Sequence, residues 1–244
     1  GTRDVVAPLV EQHLAQHAAL FADDFIEIPR LIVSDMDSTM IGQECIDELA
    51  DFAGIKDKVA GITERAMRGD LDFEGALKER VALLDGLEES AIDRCLDERI
   101  STSPGAATLI ATLKAQGARS VLVTGGFHRF ADPVAQRLGF DHVVGNRLLV
   151  EDGKLTGKVG EPICDSSTKE RTLREEATKL GKNARTLALG DGANDTPMLV
   201  AADYGMAYRA KPKTRAAANG WIDSEDLTAM LLLLGIDREQ WVMK

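Results

Sequence analysis

The chain is short of cysteine, of positive charge and of long apolar runs, and each shortage excludes something. Its three cysteines, Cys45, Cys95 and Cys164, are an odd number without CxxC spacing. That argues against a disulfide framework or a zinc site and fits reduced thiols in a cytoplasm. Lys and Arg number 29 against 40 Asp and Glu, a formal net charge of −11 over 244 residues. Such a balance speaks against a nucleic-acid or anionic-membrane partner, which shows a basic patch or stripe. No stretch approaches the roughly 18 apolar residues of a membrane span; Met230–Leu234 in AMLLLLG is too short. No basic segment followed by an apolar core and a small-residue cleavage site marks a secretory signal. The chain begins at Gly1, which reads as a processed or truncated start. A homodimer stays open.

What is present suffices for a large core: 44% of residues are hydrophobic. At roughly 100–200 residues per domain, the length suits one large domain or one domain with a smaller insert. Residues 1–29 read as an amphipathic helical segment, with Val6, Leu9, Val10, Leu14, Leu20 and Phe21 near helical spacing. The run Arg30–Asp35, apolar and β-branched, reads as a buried strand ending in carboxylates. Residues 43–100 are helical in pattern throughout and predict an inserted helical domain. After Ser103-Pro104-Gly105, helices alternate with the strands 120–124, 142–144, 185–191 and 205–208, the last expected strand. A hairpin turns at Asp152-Gly153. Alternation of this kind predicts an α/β fold, a doubly wound, mostly parallel, Rossmann-like sheet core made of residues 30–42 and 101–244. Ligands bind such sheets beyond the strands' carboxyl ends.

The polar residues sit at those ends. Asp35-Met36-Asp37-Ser38-Thr39 places two carboxylates two residues apart, one able to act as nucleophile and the other as acid and base; a polar turn or helix cap is the lesser reading of the motif taken alone. Thr124-Gly125-Gly126 offers a hydroxyl and amides to phosphate oxygens at a strand-to-helix junction, or is an ordinary turn. Lys169 opens a helix, where a lone lysine is usually just solvated. Gly190-Asp191-Gly192-Ala193-Asn194-Asp195 supplies hard oxygen donors suited to Mg²⁺, without the spacing of a calcium loop.

In this order, the four motifs resemble the haloacid-dehalogenase superfamily of aspartate-nucleophile phosphotransferases, from Leu31 to about Pro212. The insert (Glu44–Glu48, Thr63–Gly69, Leu71–Glu74, Arg80-Val81) and the later Asn146-Arg147-Leu148, DGKLTG and AYRAKPK stretches are similar to its phosphoserine phosphatase branch, whose helical cap lies at residues 43–100. That resemblance implies hydrolysis of O-phospho-L-serine in serine biosynthesis. It makes Asp35 the nucleophile and Asp37 the acid and base. Thr124, Gly125 and Lys169 would hold phosphate, with Asn194 beside them. Mg²⁺ would bind the Asp35 and Asp191 carboxylates and the Asp37 main-chain carbonyl. Glu44 would take the substrate ammonium and Arg80 its carboxylate, with Met67 and Phe73 lining the pocket. Thr124 stands where many relatives carry Ser, keeping the hydroxyl. Residues 1–29 are too few for the N-terminal regulatory domain of longer relatives. Phosphothreonine or phosphohomoserine, phosphoryl transfer to a hydroxyl, and a silent Mg²⁺-binding protein are the rival readings. His128 reads as peripheral; Gly42 and Ser103–Gly105 read as hinges.

Overall fold

The computed structural model describes Val10 and residues 17–67 and 70–244. A mixed sheet forms its centre. The first strand, β1 (Ala18–Leu20), is followed by β2 (Leu31–Ser34), then β3 (Arg119–Phe127) and β4 (His142–Asn146). The hairpin β5 (Leu148–Glu151) and β6 (Lys154–Val159) stands apart from the sheet. β7 (Thr186–Gly190), β8 (Tyr204–Tyr208) and β9 (Gly220–Ile222) complete it, in the order β1-β9-β8-β7-β2-β3-β4. All neighbours are parallel except β1, which runs antiparallel to β9.

Central β2 explains the unbroken apolar run, since all four of its residues are buried. Strands covered by helices on both faces need no polar alternation. Ile32, Leu122, Leu187 and Met206 enter one core cluster, while Leu31, Val33, Val121, Ala188 and Ala207 enter the other. The second face is made of smaller side chains, so its helices approach closely. At Gly205 in β8 a Cβ would fall 2.0 Å from the Leu199 carbonyl oxygen, well inside contact distance.

The N-terminal segment departs from expectation. Helix was expected over residues 1–29; most of that span lies outside the described residues, but Ala18–Leu20 is a strand paired with Gly220–Ile222. Both strands are three residues long, too short to show a period of their own, and β9 was not anticipated at all. Packing against the finished sheet decides such segments, not local propensity.

Between Gly42 and Ser101 the described residues form four helices: α1 (Cys45–Phe52), α2 (Lys56–Met67), α3 (Phe73–Ala82) and α4 (Ser90–Arg99). The β5–β6 hairpin, counted with the core by sequence, bonds to this helical segment. Gly86 N–H donates to the Leu155 carbonyl and Glu89 N–H to the Gly153 carbonyl, each at 2.8 Å. The two crossings of the chain are tied side by side by the Ile41–Thr102 bridge. α5 (Ala106–Ala115) leads into β3, and beyond it come α6 (His128–Leu138), α7 (Ser166–Leu180) and α8 (Thr196–Ala201).

Candidate active site

β2, β3 and β7 end together at the point where the strand order reverses, the place where such sheets bind ligands. Asp35 directly follows β2 and is 4% exposed. Its Oδ1 accepts from Met36 N–H at 2.8 Å and stands 2.7 Å from Lys169 Nζ. That ammonium, on the first turns of α7, also donates to Asp195 Oδ1 at 2.6 Å. The other Asp195 oxygen accepts from Gly192 N–H at 3.0 Å, which closes the loop after β7. A lysine that reads as solvated in sequence is thus 1% exposed between two carboxylates.

Asp37 sits across from Asp35. Its Oδ1 accepts from the Cys45 N–H at 2.9 Å, where α1 begins. Its Oδ2 lies 3.4 Å from the Thr124 hydroxyl, which in turn accepts from Gly126 N–H at 2.8 Å. The Thr-Gly-Gly turn, expected at a strand-to-helix junction, lies inside β3, which runs on to Phe127. A register shift between Val123 and Phe127 accommodates it, and two glycines permit that irregularity where side chains would clash. At Gly126 a Cβ would meet Asp37 Oδ2 at 2.8 Å.

Asp35, Asp37, Thr124 and Gly125 line one cavity of about 470 Å³ together with Asp191 and Asn194. Glu44, Phe73 and Arg80 close it from the helical segment. The Met67 side chain lies outside the described residues. Ser38, Thr63 and Lys211 also face the cavity, and the sequence pattern did not single them out. Ser38 lies within the first motif and holds a left-handed backbone, φ 53°, while its hydroxyl donates to Glu44 Oε1 at 2.7 Å. Only the spatial meeting of residues 38 and 44 reveals that role.

Crowded buried carboxylates set the electrostatics. Burial, reinforced by Asp195, pushes the Asp35 carboxyl well above the ordinary range; burial likewise raises Asp37. Burial and then Asp195 raise Asp191 to about 6. Burial and then Asp37 raise Glu44 to about 7. Arg80 is lowered by burial, against the pull of Asp47, Glu44 and Asp37. Burial works to lower Lys169 as well, but Asp35 and Asp195 outweigh it and raise the ammonium. The geometry is that of a cation-hungry acidic site: carboxylate oxygens of Asp35, Asp191 and Asp195 lie within 4.8 Å of one another. Hard oxygens at this spacing suit a small divalent cation.

Residues 32–200 match the haloacid dehalogenase-like hydrolase family. The chain is 46% identical over 210 residues to a phosphoserine phosphatase of Albidiferax ferrireducens, covering 84% of this chain and 89% of that one. It is 46% identical over 212 residues to a phosphoserine phosphatase of Streptomyces coelicolor, there covering 86% of this chain but about half, 52%, of the relative. Among solved structures it resembles a phosphoserine phosphatase holding a phospho-aspartyl intermediate analogue. That likeness has a TM-score of 0.77 and 38% identity, over 84% of this chain and 99% of the other.

Proposed function

The chain belongs to the haloacid dehalogenase-like hydrolases, and from that premise we propose that it hydrolyses O-phospho-L-serine to L-serine and phosphate through an aspartyl-phosphate on Asp35. One observation carries this reading: a single cavity is lined by Asp35, which pairs with the buried Lys169, and by Glu44 and Arg80 of the helical segment. The first group suits a phosphoryl centre, the second an amino-acid head group. The similarity to phosphoserine phosphatases over most of the chain supports the same substrate.

Asp35 Oδ2 is free of the Met36 and Lys169 contacts that occupy Oδ1, and it attacks phosphorus in line with the serine oxygen. The P–O bond to serine breaks, and protonated Asp37 delivers its proton to the leaving alkoxide. Burial favours that protonated form. Asp37 then takes a proton from water as the water attacks the aspartyl-phosphate, which restores Asp35 and releases phosphate. Lys169, with the Thr124 hydroxyl and the Gly125 amide, neutralises and orients the phosphoryl oxygens. The Asp35 and Asp191 carboxylates and the Asp37 main-chain carbonyl would hold a magnesium ion, while both Asp195 oxygens are already engaged by Lys169 and Gly192. When bound, that ion offsets the charge of the phosphoryl group and nucleophile.

The helical segment of residues 43–100 acts as the cap that carries head-group selection. Arg80 suits a bidentate grip on the substrate carboxylate. Arg80→Ala is expected to lower kcat/KM for phosphoserine by roughly 10–10²-fold and to leave an aryl phosphate nearly untouched. Equal losses on both would make Arg80 structural. A phosphate-release assay over a panel of phospho-amino acids, with and without Mg²⁺, tests the substrate itself. Phosphoserine is expected to lead, and a preference for phosphothreonine or phosphohomoserine would overturn the assignment.

Glu44 supplies a pH signature. A carboxyl with its pKa raised to about 7 is protonated below that pH and ionised above it, and only the ionised form pairs with an ammonium. The ratio of kcat/KM for phosphoserine to that for an aryl phosphate therefore falls as pH drops through about 7. In Glu44→Gln the ratio should be low and flat across that interval. Three cysteines, all buried free thiols, support a reducing, cytoplasmic setting. Among the described residues no helix is long and apolar enough to cross a membrane.

A further inference from the structure

Asn146, the last residue of β4, is 1% exposed and has no place in the chemistry described above. Its side-chain amide nevertheless bonds two separate parts of the site. Nδ2 donates to the Gly125 carbonyl at 2.8 Å and to the Cys164 carbonyl at 3.4 Å. Oδ1 accepts from Cys164 N–H at 2.7 Å. Three of the four hydrogen bonds open to such an amide are thus used, all to main chain.

The two partners lead to different phosphoryl ligands. The Gly125–Gly126 peptide is held at both ends, its carbonyl by Asn146 and its N–H by the Thr124 hydroxyl at 2.8 Å. A planar peptide fixed at both ends cannot rotate. Cys164 precedes Asp165, which caps α7 by accepting from Thr168 N–H at 2.9 Å; Lys169 follows on the same helix. Gly145 makes room for the arrangement, since a Cβ there would lie 3.2 Å from the Thr124 methyl.

We infer that Asn146 is a positioning residue for phosphoryl transfer: by bonding Gly125 and Cys164 at once, it sets the separation between the Thr124–Gly125 loop and the Lys169 ammonium. This rests on the reading of Thr124, Gly125 and Lys169 as phosphoryl ligands. Misplacement by about an ångström can cost on the order of 10²-fold in rate, so the clamp bears on turnover and not on folding alone. Because the clamp lies at the phosphoryl end, its loss falls on every substrate alike.

The test uses the full chain with Asn146→Ala and Asn146→Asp, assayed with Mg²⁺ on phosphoserine and an aryl phosphate. The affinity for inorganic phosphate is measured by calorimetry, which does not depend on turnover. Asn146→Ala should lose roughly 10–10²-fold in kcat on both substrates, with phosphate affinity weakened in parallel. Asn146→Asp keeps the acceptor for Cys164 N–H but turns an anion toward two carbonyls. Protonation restores the donor, so its kcat relative to wild type should rise as pH falls from about 8 to 6. The neighbouring Cys164 thiol, pushed up to about 11 by burial, stays neutral over that interval. Ionisations of Asp35, Asp37 and Asp191 are shared with wild type and divide out. Lowered thermal stability with kcat and phosphate affinity within about twofold of wild type would overturn the inference, as would a loss confined to phosphoserine. Failure of the substrate reading looks different: wild type would then turn over the aryl phosphate but not phosphoserine, and the Asn146 effect would still be read on the former.

Discussion

Asp35→Asn will abolish phosphate release, by roughly 10⁴-fold or more, while leaving the protein at least as stable as wild type. An amide offers no carboxylate to attack phosphorus, so neither the aspartyl-phosphate nor the steps after it can form. Asn still accepts from Met36 N–H and from Lys169, the two contacts that fix the side chain. It also removes one negative charge from a cluster in which burial and Asp195 already raise the Asp35 carboxyl. The stability term therefore works in the variant's favour, an unusual outcome for a buried substitution. The measurement is phosphate release with Mg²⁺, joined to acid-quench trapping of phosphoprotein and a melting curve. Activity above about 1% of wild type, well short of the expected loss, would remove Asp35 from the nucleophile's role.

Lys169→Met should be the most damaging single change to the fold within the site. The wild-type ammonium lies between Asp35 and Asp195 at 2.7 and 2.6 Å, with all three side chains buried. Removing the cation leaves two carboxylates facing each other without a partner, at a cost of about 3–5 kcal/mol. Activity is lost as well, since the phosphoryl group loses its protein cation. The pH dependence separates this from a packing defect. Lys169 has its folded pKa raised above the unfolded value, so its stabilisation is fully present below that unfolded value and goes only at strongly alkaline pH. In wild type Lys169 pulls the Asp35 carboxyl down against burial and Asp195; in the variant that pull is gone, so Asp35 is raised further and holds its proton over a wider range. Stability then declines as pH rises through the acid range, so the deficit relative to wild type is smaller near pH 5 than near pH 8. Equilibrium denaturation at the two pH values checks this, and a deficit independent of pH would contradict it.

Much of the candidate site's placement was legible because it is local. Asp35 and Asp37, and Asp191 with Asn194, follow directly on strand ends, while Thr124-Gly125 lies within β3; β-branched runs such as Leu31–Ser34 mark those strands directly. The four helices between Gly42 and Ser101 follow from uninterrupted helical spacing. What was not legible is set by distance along the chain. Ala18–Leu20 becomes a strand only because Gly220–Ile222, some 200 residues on, presents an edge to it. The resemblance implied a phosphate contact for Lys169, but its enclosure between Asp35 and Asp195 shows only in the fold. The Ser38–Glu44 bond and the Asn146 clamp depend on side-chain meetings that no periodicity encodes.

The hairpin's bonding constrains the mechanical freedom of the helical segment. Two adjacent crossings, tied at Ile41–Thr102, would by themselves define one axis and allow a free swing about it. Gly86 and Glu89 add a third attachment, to Leu155 and Gly153, away from that axis. A swing must break these bonds and the one from Leu155 N–H to the Leu87 carbonyl, or take the hairpin along, flexing at its foot where Gly160 N–H meets the Arg147 carbonyl at 2.8 Å. That foot is the residue next to Asn146. Movement of the helical segment over the cavity and the placing of the Thr124–Gly125 loop therefore share one linkage, as a door shares its frame with the latch.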